Sequence, residues 1–134
     1  MTDLDTRGLL DTSVLIDLDR MVPTELPRES YLSAISLAEL SVGPLVTASL
    51  PERVARQAVL QLAEAHFNAL PFDSESARVF GRLAAQLRAS GRKGRARTFD
   101  ALIAAAAIRY YLPLYTRNVG DFQGIVGVEL RHVT

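Results

Sequence analysis

The chain contains no cysteine and no tryptophan, and its formal net charge is zero. Without cysteine, neither a disulfide framework nor a thiolate zinc site can form, which fits a reducing compartment such as the cytoplasm. The longest apolar run, Ala101–Ile108, is far too short to span a bilayer. Residues 1–7 are polar and charged, lack the apolar segment of a secretory signal, and are expected to form a flexible tail. We therefore expect a soluble, cytoplasmic protein without membrane contact.

Nitrogen ligands and nucleotide-binding motifs are equally scarce. The two histidines, His66 and His132, show no ligand spacing and are interpreted as ordinary surface or half-buried residues. The segment Gly91-Arg92-Lys93-Gly94 follows a predicted helix rather than a strand, so it does not match the glycine motif of dinucleotide-binding proteins. No nucleotide cofactor is expected.

The 134 residues, 49% of them hydrophobic, are enough for one compact domain spanning residues 1–134 with a sizeable core. Apolar segments typical of strands alternate with helical patterns, which predicts an α/β fold with a central parallel sheet and helices on both faces. The predicted strands are Leu9–Leu10, Tyr31–Ile35, Phe67–Leu70, Leu112–Thr116 and an edge strand, Val128–Val133. Helices are predicted from Thr12 or Ser13, over Ser36–Val42, from Pro51, from Asp73 to Ser90-Gly91, and from Thr98.

Two carboxylates, Asp11 and Asp121, come directly after predicted strands. In open parallel sheets, ligands bind outside the carboxyl ends of the strands, so both side chains are expected at that edge. Asp11 has a structural alternative, because an aspartate in this position can also cap the following helix.

Glu39 also serves two interpretations. Ser36-Leu37-Ala38-Glu39 matches a capping box, in which the glutamate bonds back to the backbone N–H of the serine. The same placement brings its carboxylate close to the end of the preceding strand, so a role in a site stays open.

Asp100 is the most informative acid. It is predicted in the first turn of a helix whose segment Ala101–Ile108 is apolar on every side and must therefore lie inside the domain. The helix dipole accounts for an acid at that end, worth roughly 0.3–1 kcal/mol, but not for an acid where the helix enters the core. We interpret Asp100 as functional.

If these four carboxylates converge, their charges must be neutralised. At an effective dielectric constant near 20, each ionised pair within ~5 Å costs about 3 kcal/mol. Protons or a divalent cation can offset that cost, and oxygen ligands without cysteine or histidine favour Mg²⁺ or Mn²⁺.

Four segments together resemble the sequence blocks of PIN-domain proteins, and most closely the VapC toxins of bacterial toxin–antitoxin pairs. They run in order along nearly the whole chain, and the four acids occupy the family's acidic positions. The segments are Leu9–Leu15, Ser33–Leu40, Asp100–Ala105 and Tyr115–Phe122.

The resemblance implies a three-layer α/β/α fold and an endoribonuclease that cleaves structured RNA, such as tRNA or rRNA, with Mg²⁺ or Mn²⁺. It implies Asp11 and Asp100 as direct metal ligands, with Glu39 and Asp121 completing the acidic pocket of catalytic residues. It further implies that Thr12, Thr116 and Asn118 orient carboxylates or contact phosphate. Whether one or two ions bind, and whether Asp121 or Asn118 completes the site, stays open. A cognate antitoxin and a second copy of the chain are the implied protein partners.

An acidic pocket repels RNA, so affinity must come from basic residues elsewhere. No acid lies between Ser76 and Phe99, whereas seven basic residues do. The RNA-binding candidates are Arg88, Arg92, Lys93, Arg95, Arg97 and Arg117. The alternative interpretation of this run is a solvated helix face followed by a flexible loop.

Two other functions compete with a nuclease. A small α/β metal-dependent phosphatase also places an aspartate at a strand end, but a second aspartate two residues later is then expected, where this chain has Ser13. A catalytically weak interaction module that binds an antitoxin or RNA is the alternative from a different class of protein. Such a module would have a broken acidic site.

Overall fold

The computed structural model describes residues 6–92 and 94–134. Within that part, five parallel strands form one sheet in the order β3-β2-β1-β4-β5. The strands are β1 (Arg7–Leu10), β2 (Glu29–Ser33), β3 (Asn68–Leu70), β4 (Leu114–Thr116) and β5 (Leu130–His132). The helices are α1 (Thr12–Ile16), α2 (Ala34–Val42), α3 (Leu50–His66), α4 (Ser74–Ala89) and α5 (Arg95–Arg109). The predicted α/β fold with a parallel sheet is confirmed.

The core lies on both faces of the sheet because side chains alternate along a strand. In the central strand β1, Leu9 packs with the cluster built from α4 and α5, and Leu10 packs with the cluster built from α1, α2 and α3. In α5, Ala101 and the residues from Ile103 to Ala107 are buried. A helix of such small residues lies close against the sheet, so the prediction of a helix inside the domain is correct.

Two helices begin two or more residues earlier than predicted. Helix α5 starts at Arg95 rather than near Thr98, following Gly94, whose φ of 120° is readily adopted by glycine. The Thr98 hydroxyl donates to the carbonyl of Gly94 over 3.0 Å, so it bonds within the helix instead of capping it. Helix α2 starts at Ala34 and is capped by Ser33, not by Ser36. Strand β2 is correspondingly shifted toward the amino terminus.

The other boundaries follow the predicted signals more closely. Asp73 caps α4, and the helix ends before Gly91, whose φ is 79°. The predicted tail overlaps β1 at Arg7, which pairs with Glu29, while residues 1–5 lie outside the described part of the chain. In the described ranges, no helix combines the length and hydropathy needed to cross a membrane.

Candidate active site

Asp11 leaves the carboxyl end of β1 and is almost completely buried, with 6% of its surface exposed. Its Oδ1 accepts from the backbone N–H of Thr12 over 2.8 Å, so Asp11 caps α1, which begins at Thr12; the capping alternative for Asp11 is therefore correct. Its Oδ2 accepts from the hydroxyls of Thr116 (2.8 Å) and Ser13 (2.9 Å). Burial raises the pKa of Asp11, although these hydrogen bonds oppose the shift. Asp11 is thus both a helix cap and a buried acid at the sheet edge.

Glu39 lies in the second turn of α2, and Thr12 links it to Asp11 by donating a hydrogen bond to each carboxylate. The Thr12 hydroxyl donates to Glu39 Oε1 over 2.8 Å. The predicted capping box is wrong, because the N–H of Ser36 is bonded to the side chain of Ser33 over 3.1 Å and the helix starts two residues earlier than Ser36. Burial raises the pKa of Glu39, and the charge of Asp11 adds to the shift.

Asp100 lies in the second turn of α5, since that helix begins at Arg95, and not in the first turn as predicted. Its side chain is 17% exposed. Asp100 Oδ2 lies 3.2 Å from Nη1 of Arg97. This oxygen is buried, yet it receives no hydrogen bond of good geometry from the described residues. Burial raises the pKa of Asp100 to about 7 against the opposing charge of Arg97.

Asp121 comes from the 3₁₀ turn Val119–Phe122, which follows β4. Nη1 of Arg97 lies 3.4 Å from Asp121 Oδ1 and donates to its backbone carbonyl over 2.8 Å. Asn118 is exposed, and its backbone N–H donates to the Thr116 hydroxyl over 3.0 Å. Asp121 is therefore the acid that this turn brings toward α5, while Asn118 anchors the start of the turn.

The four carboxylates share one electrostatic environment. The charges of Asp121, Asp11 and Glu39 all raise the pKa of Asp100, and Asp121 also raises that of Asp11. In the described part of the chain, however, no three acidic or histidine side chains are arranged to hold a metal ion as they stand. Arg97, which contacts two of the four acids, supplies a positive charge there instead.

The chemistry of the cluster still fits a hard divalent cation. Its donors are carboxylate and hydroxyl oxygens, which Mg²⁺ and Mn²⁺ prefer. The buried Asp100 Oδ2 is left without a hydrogen-bond donor among the described residues, and such an atom is costly to bury unless a ligand satisfies it. These residues therefore suit a cation that binds at Asp100.

The predicted RNA-binding residues do not form one patch. Arg88, Arg92 and Arg97 line a cleft of about 960 Å³ between α4 and the start of α5. Arg95 is exposed in the first turn of α5. Arg117 is paired with Asp17 beside α1 instead, and Lys93 lies outside the described residues. Arg95 and Arg97 belong to a helix, not to the predicted loop.

Sequence reasoning missed the roles of Ser13 and Arg97 in the site. Ser13 donates to Asp11 and accepts from the backbone N–H of Arg117 over 3.2 Å. A serine two residues after a capping aspartate is a recognisable local signal for that contact. Arg97 precedes Asp100 by three residues, a spacing that pairs side chains on a helix, but a helix start at Thr98 concealed it.

Comparison with known proteins identifies the family to which this fold belongs. The family model described as the PIN domain matches residues 8–123, which include all four acids, and the chain therefore belongs to the PIN-domain family. Within that family its relatives carry the name ribonuclease VapC. Ribonuclease VapC5 of Mycobacterium tuberculosis is 35% identical over 130 residues, covering 95% of this chain and 93% of the relative. Ribonuclease VapC1 of Rickettsia felis is 32% identical, covering 94% and 96%.

A solved structure agrees with this assignment. The VapBC-5 toxin–antitoxin complex of Mycobacterium tuberculosis contains a chain that superposes with a TM-score of 0.80 at 35% identity. The match covers 96% of this chain and 99% of that one. The three-layer α/β/α fold expected from the sequence is thereby confirmed.

Proposed function

We propose that this protein is a Mg²⁺- or Mn²⁺-dependent endoribonuclease that acts as the toxin of a toxin–antitoxin pair. The carrying observation is the half-buried carboxylate of Asp100, whose pKa is raised by burial and further by the charges of Asp121, Asp11 and Glu39, and whose buried Oδ2 accepts no hydrogen bond from the described residues. Relatives named ribonuclease and the likeness to a toxin–antitoxin complex support the activity and its setting.

The residues divide into ligands and groups that orient them. Asp100 and Asp11 would hold the cation directly, with Glu39 and Asp121 completing the pocket. Asp11 Oδ2 already accepts two hydrogen bonds and Oδ1 accepts one, so Oδ1 keeps a lone pair for a ligand.

Catalysis then needs a polarised phosphate and an oriented water. When bound, the cation supplies Lewis-acid activation of the phosphodiester and of water. Glu39 or Asp121 would orient the attacking water, because each is half-buried at the edge of the pocket. Thr12 and Thr116 hold the carboxylates of Glu39 and Asp11 through their hydroxyls.

The experiment is a cleavage assay on purified protein with structured RNA, either tRNA or rRNA. Cleavage is expected with Mg²⁺ or Mn²⁺ and not with a chelator. Asp100→Asn and Asp11→Asn should each abolish it, whereas Asp19→Asn, the same change at an exposed position, should not. Wild-type rates from folded D100N protein, or metal-independent cleavage, would rule out the proposed mechanism.

RNA would be held by its backbone next to the acidic pocket. Arg88 and Arg92 line the cleft that Arg97 also lines, and Arg95 is exposed at the start of α5. Positive side chains beside an acidic centre let phosphates approach that would otherwise be repelled. Arg117 lies beside Ser13, with its guanidinium paired to Asp17, and would contact a second stretch of backbone.

The antitoxin would bind the apolar surface of the segment 43–49 and α3. Leu45 is 82% exposed and Val54 is 61% exposed, and both line one groove. Val46 and Leu50 lie between them in sequence and are also exposed. Contiguous exposed apolar surface typically marks a protein interface. A separate groove, lined by Thr12, Glu39 and Val59, runs from another side of α3 to the acidic pocket.

The resemblance also implies a homodimer working in the cytoplasm, and we include both in the proposal. The exposed Tyr111 and Val126 offer apolar surface on the side of the molecule where α5 ends. Light scattering on the purified toxin, with and without its antitoxin, would test the oligomeric state.

A further inference from the structure

The guanidinium of Arg97 lies between two carboxylates of the acidic cluster. Nη1 is 3.2 Å from Asp100 Oδ2 and 3.4 Å from Asp121 Oδ1, and it donates to the Asp121 carbonyl over 2.8 Å. The Arg97 side chain is only 23% exposed. Its position relative to Asp100 is set by the three-residue spacing on α5, whereas Asp121 reaches it from the turn after β4.

This contact neutralises the cluster incompletely. The four carboxylates carry four formal negative charges, whereas the Arg97 guanidinium places one positive charge beside two of them. The geometry between Nη1 and Asp100 Oδ2 does not satisfy that buried oxygen. One diffuse positive charge therefore occupies a place where a compact dication would interact more strongly.

We propose that Arg97 is the built-in counter-ion of the metal-free site, and that it competes with the divalent cation for Asp100 and Asp121. The inference rests on the proposed function, because it takes the acidic cluster to be the cation site. When the cation binds, the guanidinium is displaced toward the cleft that Arg97 shares with Arg88 and Arg92. Loading the cation would thereby add a positive charge to the surface that holds RNA.

A purely structural role makes a different prediction. If Arg97 only clamped the turn Val119–Phe122 through the Asp121 carbonyl, its removal would loosen the turn and leave cation affinity unchanged or weaker. A competing counter-ion, once removed, strengthens cation binding, because a positive charge has been taken from beside the ion.

The test is Mn²⁺ affinity measured without RNA, by calorimetry or by electron paramagnetic resonance. Arg97→Gln should lower the dissociation constant for Mn²⁺ by about tenfold or more, since the competing charge is gone. Arg95→Gln removes the same charge two residues away on the same helix, and its affinity should stay within about twofold of wild type because exposed charges are screened. An R97Q affinity equal to or weaker than wild type overturns the proposal.

A second measurement uses the wild-type chain and so does not depend on the folding of a variant. Nuclear magnetic resonance of ¹⁵N-labelled arginine reports the rotation of each guanidinium. Rotation of Arg97 should be hindered without metal and become fast when Mg²⁺ is added, and a signal unchanged at saturating Mg²⁺ overturns the proposal. If the wild-type chain binds no Mn²⁺, the proposed function fails as well. If it binds Mn²⁺ but neither the R97Q substitution nor the rotation of Arg97 shows competition, only this inference fails.

Discussion

The hydroxyl of Thr116 donates to Asp11 Oδ2 over 2.8 Å, joining the ends of two adjacent strands inside the domain. Thr116 is completely buried and also accepts from the backbone N–H of Asn118. One side chain thus orients the central acid and anchors the turn that carries Asp121.

Replacing Thr116 with valine keeps the shape and removes the hydroxyl. We expect a loss of about 1–3 kcal/mol in the free energy of unfolding, because a buried hydrogen bond to a carboxylate disappears. The pKa of Asp11 should rise further, since the Thr116 bond lowers it, and Mn²⁺ should bind more weakly at neutral pH. Urea denaturation and calorimetry measure the two effects.

Thr116→Ser is the matched control, because it retains the hydroxyl. It should bind Mn²⁺ nearly as tightly as wild type, despite a small packing loss. If the valine and serine variants bind Mn²⁺ equally well, the Thr116 hydroxyl does not influence cation binding through the pKa of Asp11.

The metal-free protein should lose stability as pH rises from about 4 to about 7. Burial raises the pKa of Asp100 from 3.8 to about 7, so in that range the folded state holds a proton that the unfolded state has released. Folding is therefore favoured at the low-pH side of the window and weakened as Asp100 ionises. Thermal unfolding in chelator over this range measures the trend.

Asp100→Asn removes that ionisation. Its melting temperature in chelator should exceed that of wild type at pH 7.5, and its pH dependence between 4 and 7 should be shallower. Part of the slope should persist, because burial also raises the pKa of Asp11 and Glu39. A D100N protein with an unchanged slope would show that Asp100 is ionised throughout.

Much of the fold and the identity of the acids could be predicted from the sequence. Leu9 and Leu10 form a buried apolar segment that ends at Asp11. Because a residue directly after a parallel strand lies at the carboxyl ends of the strands, the position of Asp11 in the sheet could be predicted. The start of α5 could not be predicted, because Gly94 begins a helix without a side-chain cap. The contact of Arg97 with Asp121 joins residues distant in sequence and depends on how the turn after β4 folds back.

RNA affinity should depend on salt through the arginines beside the α4–α5 cleft. Changing Arg88, Arg92 or Arg95 singly to glutamine should each reduce the slope of log K against log salt by about 0.7–0.9, the value for one phosphate contact. Arg28→Gln is the control, because Arg28 directly precedes β2 and so lies at the amino-terminal ends of the strands, opposite the acidic cluster. Filter binding between 50 and 200 mM salt, the range over which such contacts weaken, measures the slopes. If all three variants gave the same slope as R28Q, the RNA would bind another surface.

The antitoxin should be released by a charge on the apolar surface of α3. Val54→Asp should weaken antitoxin binding by about tenfold or more, because a charge cannot be buried in an apolar interface without a large cost. RNA cleavage by the free toxin should be unaffected. Val126→Asp introduces the same charge at another exposed valine and should bind the antitoxin normally; equal binding by both variants would exclude α3 as the interface.

The proposed coordination of a hard divalent cation joins Asp11, which follows β1, with Asp100 of α5. Anomalous diffraction from crystals grown with Mn²⁺ tests it most directly. We expect a peak about 2.0–2.6 Å from a carboxylate oxygen of each residue, with Arg97 turned away from Asp100. Full-occupancy Mn²⁺ elsewhere, with the Arg97 contacts to Asp100 and Asp121 intact, would contradict it.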